Sequence, residues 1–159
     1  MKLLIISDTH GSHINVDKVL EKEEGVDLLI HLGDVEKGED AIRYSVNCPA
    51  HFVRGNNDFF SDLPREKELF LEGWHLFLCH GHAYYVSVGE EQLKREARGR
   101  GADIALYGHT HRPVIHREEN LLILNPGSLT HPRQEGRRPS YMILVLEEGK
   151  EPEAWIKYL

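Results

Sequence analysis

The stretch Tyr107-Gly108-His109-Thr110-His111-Arg112-Pro113 holds two histidines two residues apart, just after the apolar run Ile104-Ala105-Leu106. In extended chain, residues i and i+2 project to the same side. Both imidazoles are therefore expected to aim at one spot, which serves a metal ion and not a core. A chain of 159 residues with 11 histidines produces one His-x-His pair by chance, so the reading depends on its companions. Four further apolar runs end in short polar loops: Asp8-x-His10, Gly33-Asp34, Gly55-Asn56-Asn57-Asp58 and His80-Gly81-His82. Ligands of open α/β sheets bind at the carboxyl ends of strands. Five such loops supplying Asp, His and Asn to one rim make a polynuclear metal site. Carboxylate with imidazole suits Mn, Fe, Zn or Ni, and the lack of a thiolate set argues against a structural zinc cluster. The glycines would let the backbone turn sharply there. A close metal pair sharing one carboxylate would grip a phosphoryl group from opposite sides and lower the pKa of a bridging water, the arrangement for in-line attack on phosphate.

The elements that must carry these loops follow from the apolar pattern. Strands are expected over Lys2–Ile6, Asp27–His31 and Ala50–Val53, with helices over Val16–Glu24, capped by Asn15, and over Glu39–Val46. This strand–loop–helix repeat signals an α/β domain with a parallel sheet. The second half changes character. Glu68–Leu71 and Trp74–Cys79 read as a hairpin about Glu72-Gly73, and Ser87 with Glu90 has capping-box spacing before a charged helix to Arg98. Strands are expected at Asp103–Tyr107, Val114–His116, Leu121–Leu124, Tyr141–Leu146 and Ala154–Tyr158, forming a second, mixed or antiparallel sheet.

Hydrophobic content is 40%, charged content 28% and net charge −7. The length suits one domain spanning 1–159. An acidic balance argues against general nucleic-acid or anionic-membrane binding. Cys48 and Cys79 make no disulfide framework, and no apolar run reaches the ~18 residues of a membrane span. A cytoplasmic protein is expected.

The order Asp8-x-His10, Gly33-Asp34, Gly55-Asn56-x-Asp58, His80 and Gly108-His109-x-His111 resembles the calcineurin-like metallophosphoesterase superfamily. Asn125-Pro126-Gly127-Ser128 is similar to a further motif of its small bacterial and archaeal phosphodiesterase branch. The resemblance implies two facing mixed β-sheets flanked by helices, a four-layer αββα sandwich. It implies two divalent metals, manganese first, with Ni, Fe, Co or Zn as alternatives. One would be held by Asp8, His10, Asp34 and His111, the other by Asp34, Asn56, His80 and His109, with Asp34 as bridge. A metal-bridging hydroxide would attack a small phosphodiester. The likeness also suggests a homodimer or larger assembly.

Asn57 departs from the pattern: the superfamily often has a histidine after the ligand Asn, where it binds substrate or protonates the leaving oxygen. An amide can hydrogen-bond a phosphate oxygen but supplies no proton near neutral pH. General acid catalysis is typically worth ~10²–10⁴ in rate, so a modest phosphodiesterase is expected, with Asp34, Asn56 and Asn57 as its catalytic residues. The loop after Asp34 lacks the Asp-Arg-Gly pattern of protein serine/threonine phosphatases. Alternatives are a phosphomonoesterase or nucleotide pyrophosphatase on the same site, or a non-catalytic scaffold like the retromer subunit of this fold. Asp58 is expected to accept a hydrogen bond from a liganding histidine. His82 is expected behind the ligands or on the substrate side, and His13, His31, His51, His75, His116 and His131 in structural or surface roles. Arg54 reads as a phosphate contact or a strand-end salt bridge. Arg133, Arg137 and Arg138 form a basic loop, either solvated or closing over an anionic substrate.

Overall fold

The computed structural model describes residues 1–159. Its strands are β1 (Lys2–Ile6), β2 (Leu28–His31), β3 (Ala50–Phe52), β4 (Glu66–Leu71), β5 (Trp74–Cys79), β6 (Ile104–Leu106), β7 (Pro113–Glu118), β8 (Leu121–Pro126), β9 (Ser140–Val145) and β10 (Glu153–Tyr158). Its helices are α1 (Ile14–Lys22), α2 (Glu39–Ser45) and α3 (Glu91–Gly99).

Two five-stranded sheets form, with orders β10-β9-β1-β2-β3 and β4-β5-β6-β8-β7. The expected assignment of the last two strands to the second sheet is corrected here. β9 pairs antiparallel with β1, Leu3 opposite Leu144, and carries β10 with it. Such a long-range pairing leaves no trace in local pattern. The second sheet is mixed, as anticipated, with β5, β6 and β8 parallel and β4 and β7 antiparallel at its edges.

Side-chain alternation builds the layers. On β1, Leu3 and Ile5 face inward and meet Leu76, Leu78, Ile104, Leu106, Leu122 and Leu124 of the second sheet. Leu4 and Ile6 face outward and are covered by Val16 and Val19 of α1 and Ile42 of α2. Phe77, Ala105 and Ile123 face the other way and are covered by Leu93 and Ala97 of α3. The strands are apolar on both faces because both faces are buried. The result is the expected α–β–β–α sandwich.

Two expected caps are not made. Asn15 lies inside the first turn of α1, and its amide donates to the Leu129 carbonyl at 2.6 Å, tying the helix to the loop after β8. Ser87 caps nothing. α3 begins after Glu90, whose carboxylate is taken by the Tyr107 hydroxyl (2.8 Å) and His116 (3.0 Å).

Candidate metal centre

β1, β2 and β3 are mutually parallel, and so are β5, β6 and β8. Each triplet therefore directs its carboxyl ends to one edge. The two edges coincide: the Asp8 amide donates to the Gly33 carbonyl, the Gly108 amide to the His80 carbonyl, and His80 Nδ1 to the Leu32 carbonyl across the sandwich. All the sequence-selected residues come from these six strand ends. The four antiparallel strands supply none.

The local backbone differs from the extended chain that the His-x-His spacing predicts. Asp8, His10, Asp34, His109 and His111 have φ of 54°, 46°, 55°, 66° and 58°. A left-handed conformation is uncommon for residues with a side chain and is held here by the surrounding structure. The two histidines of His109-x-His111 consequently diverge. The His111 ring lies 5.2 Å from that of His10, and the His109 ring 5.2 Å from that of His80. The two rings face different neighbours and not one spot, and only His111 joins a group of potential ligand atoms.

Two groups of potential ligand atoms result, Asp8 with His10 and His111, and Asp8 with Asp34 and His80. The shared carboxylate is Asp8. His111 Nε2 stands 3.1 Å from Asp8 Oδ1 and 3.4 Å from His10 Nε2. His80 Nε2 stands 3.1 Å from Asn56 Oδ1, 3.5 Å from Asp34 Oδ2 and 4.0 Å from Asp8 Oδ1. His109 enters through its backbone amide, which donates to Asp8 Oδ2 at 3.1 Å. Asn57 turns toward Asp34: its backbone N–H donates to Oδ1 (2.8 Å) and its side-chain amide to Oδ2 (2.7 Å).

The donor set fits a divalent cation on three observations. Asp8 is fully buried and its Oδ1 has no hydrogen-bond donor; the His111 nitrogen near it is out of line. His80 Nε2 faces three oxygens and no donor. Most telling, three histidines have Nδ1 occupied by an acceptor, His10 by Glu36 Oε1 (2.7 Å), His80 by the Leu32 carbonyl (2.6 Å) and His111 by the His131 carbonyl (2.7 Å). A proton on Nδ1 places the Nε2 lone pair toward the centre, the tautomer a metal requires.

Electrostatics agree. Burial alone would raise the Asp8 carboxyl, but His111, His80 and the Ser7 hydroxyl carry it below its ordinary value. Burial also opposes ionisation of Asp34, yet His80 and the two Asn57 donors hold it well below the carboxylate range. Burial would depress His80, and Asp34 and Asp8 push it upward instead. For His109, burial and the nearby positive His80 both act downward. Both carboxylates are thus favoured in their ionised form, which suits a bound cation.

Asp58 differs from expectation. Its carboxylate takes three backbone N–H groups, those of Asp34 (2.8 Å), Gly55 (2.7 Å) and Glu36 (2.6 Å), and no histidine. Glu36 orients a histidine instead, a role not assigned from the sequence; a carboxylate two residues beyond Asp34 was the available signal. Arg54 does not form the expected strand-end salt bridge: it donates to the Ser61 carbonyl at 3.3 Å. His131, read as structural or surface, lies with its ring 5.0 Å from His10. Its placement depends on Ser128, whose hydroxyl donates to the Asp8 carbonyl and accepts the Thr130 and His131 amides. His82 lies 5.4 Å from His80 and 6.1 Å from His109, ring to ring, in a cleft with Asn56, Arg54 and Arg65.

Comparison with known proteins points the same way. The family model for the calcineurin-like phosphoesterase superfamily domain matches residues 1–149. The probable metallophosphoesterase YsnB of Bacillus subtilis is 34% identical over 148 residues, covering 92% of this chain and 85% of the relative. The phosphodiesterase YfcE of Escherichia coli is 32% identical over 168 residues, covering 91% and 87%. A solved structure described as a novel archaeal phosphodiesterase superposes with a TM-score of 0.77 at 26% identity, covering 99% of this chain and all of the other. Zinc-complexed Vps29 of Entamoeba histolytica superposes with a TM-score of 0.79 at 20% identity, covering 99% of each chain, a likeness of fold alone.

Proposed function

Because the chain belongs to the calcineurin-like phosphoesterase superfamily, we propose that it is a metal-dependent phosphodiesterase acting on small phosphodiesters through a two-metal centre. The single observation that carries this reading is the set of three histidines whose Nδ1 protons are tied back to Glu36, Leu32 and His131, leaving Nε2 beside Asp8 and Asp34.

In this reading Asp8, His10, Asp34 and His111 hold one metal, and Asp34, Asn56, His80 and His109 the other. Asp34 is assigned as the bridge from the superfamily likeness; Asp8 lies within reach of both groups in the structure. Bound divalent metal supplies charge to the phosphoryl oxygens and lowers the pKa of water. The chain's own residues do the positioning. Glu36 and the Leu32 and His131 carbonyls fix imidazole tautomers, and Asp58 fixes the loops carrying Asp34 and Asn56. Asn57 holds both oxygens of Asp34 and is proposed to act through that carboxylate, as it has no proton to give a leaving oxygen. A diester with a good leaving group is therefore the favoured substrate. The two unpaired cysteines support a cytoplasmic setting, and no helix is long and apolar enough to cross a membrane.

The second reading is a non-catalytic, metal-binding scaffold of the same fold, since a fold does not by itself carry an activity. The test is hydrolysis of a chromogenic diester by metal-stripped protein with Mn, Ni, Fe, Co and Zn restored singly, beside the matching monoester and an Asp34→Ala control. Metal-restored diester cleavage, absent in the control, is expected. Metal binding without hydrolysis of either ester would favour the scaffold. Faster monoester cleavage would favour a phosphomonoesterase.

A further inference from the structure

The structure regroups the arginines of the loop after β8. Arg138 turns away, its guanidinium 5.1 Å above the Tyr158 ring and donating to the Leu159 carbonyl at 3.3 Å. Its place is taken by Arg112, from the end of the His109-x-His111 loop. Arg112, Arg133 and Arg137 line one cleft with Thr130, His131 and Pro132. No acidic residue lines it, and none of the three guanidiniums makes an ion pair or side-chain hydrogen bond. Elsewhere arginines are matched: Arg98 with Glu118, Arg100 with Glu66, Glu68 and Glu96, Arg117 with Glu151. Glu135 lies in the same loop as Arg133 and Arg137 yet forms no pair with them. In a chain of net charge −7, three exposed guanidiniums without an acidic partner line one cleft and leave their N–H donors free for an anion.

The cleft adjoins the metal centre through shared walls. His131 lines the cleft, its carbonyl holds His111 Nδ1, and its ring lies 6.4 Å from the His111 ring. The Arg133 amide donates to the His111 carbonyl at 3.0 Å. The Thr130 hydroxyl is spent on the Thr9 carbonyl, leaving the guanidinium N–H groups as the abundant free donors. Guanidinium forks match the oxygens of phosphate in pairs.

We propose that this cleft is a second anion subsite, and that the preferred substrate is a phosphodiester carrying a further ionised phosphate, which Arg112, Arg133 and Arg137 hold while the diester lies at the metal centre. The inference rests on the phosphodiesterase reading for its catalytic consequence, but the subsite itself does not need metal.

Two measurements separate the two. First, metal-stripped protein is titrated with inorganic pyrophosphate while the arginine side-chain N–H resonances are followed by NMR. Saturable shifts that weaken steeply with salt, and disappear in Arg112→Ala/Arg137→Ala, are expected. Unchanged arginine resonances at millimolar pyrophosphate would overturn the subsite, whatever the enzyme does. Second, kcat/KM is compared for a nucleoside 5′-(4-nitrophenyl phosphate) with and without a 3′-phosphate. The 3′-phosphate is expected to raise kcat/KM at least about tenfold, about 1.4 kcal/mol. That ratio should fall to near one in the double variant and partly return in Arg112→Lys/Arg137→Lys. Because the readout is a ratio within one protein, incomplete folding or metal loading cancels. A ratio near one in the parent protein would overturn the proposed substrate. No hydrolysis of either ester would overturn the phosphodiesterase reading and leave the pyrophosphate titration to decide the subsite.

Discussion

A Cβ built on Gly55 would stand 2.1 Å from Asp34 Oδ1 and 2.4 Å from the Asp34 backbone nitrogen. Gly55 does not have a positive φ, so its lack of a side chain is a matter of space and not of turning. Gly108 is alike: its Cβ would meet Ser7 Oγ at 2.1 Å and Asp8 Oδ2 at 2.9 Å. Gly33 combines both reasons, with φ of +98° and a Cβ position 2.6 Å from His80 Nδ1. The glycines beside the ligand motifs let two loops approach until their carboxylates and imidazoles share a centre.

Gly55→Ala should therefore displace Asp34. Overpacking of this kind costs about 1–3 kcal/mol, and loss of ligand placement should weaken metal affinity about 10–100-fold. Gly89→Ala, where an added Cβ meets nothing within 4 Å, is the matched control. Urea unfolding and metal titration of both variants check this; parent-like metal affinity in Gly55→Ala would sink it.

Glu36→Gln tests the orientation of His10. The carboxylate of Glu36 is partly exposed, so folding stability should hardly change. The His10–Glu36 contact of 2.7 Å should matter for metal, with affinity at one of two sites falling about 10-fold or more. Calorimetric titration resolving two binding events should show one weakened and one spared. Equal weakening of both would contradict the grouping of His10 with His111 and Asp8.

Asp58→Asn replaces an acceptor of three backbone N–H groups with a side chain that offers one oxygen and one NH₂. At least one buried donor is then left facing another donor, at a cost of about 1–3 kcal/mol. Chemical denaturation measures it. Metal affinity should fall too, as the Asp34 and Gly55 amides are among the three.

His31 predicts a pH dependence of folding stability, to be measured on metal-stripped protein because Asp8, Asp34 and His80 also act on its ring. Its Nδ1 accepts the Gly33 N–H (3.2 Å), so Nε2 carries the proton and donates to Thr9 Oγ1 (3.0 Å). A second proton would face the Gly33 N–H, and burial already pushes the imidazole down from 6.5 to about 4. The unfolded chain thus binds a proton below 6.5 that the folded chain refuses until about 4. Stability should fall as pH drops through that window, by on the order of 2 kcal/mol between about pH 7.5 and pH 5. His31→Asn keeps an acceptor for Gly33 and removes the titration. Denaturation at both pH values should give a flatter profile for the variant; parallel profiles would refute the assignment.

Local pattern carried much of this protein. The apolar runs ending in Asp8, Asp34, Asn56, His80 and His109 placed the strands and the rim because burial on both faces demands continuous hydrophobic residues, and a polar residue ends such a run. What it lacked were properties of one segment in the presence of another. Asn15 and Ser87 had the chemistry of caps, but tertiary partners decided where Asn15 donates and where α3 begins. Asp58 looked like a histidine partner by proximity in sequence; the backbone amides of Asp34, Gly55 and Glu36 claimed it.

The sequence by itself determined the inventory: which residues could bind metal, in what order, on which strand ends, and the two-sided apolar strands that force a layered fold. Only the tertiary structure decided the pairing. It returned β9 to β1, split His109 from His111 by left-handed backbone, gathered Arg112 with Arg133 and Arg137, and set Glu36 against His10. The reason is physical. Spacing along a chain governs direction within one element, whereas distance between elements depends on which faces bury one another and on how closely glycines let them approach.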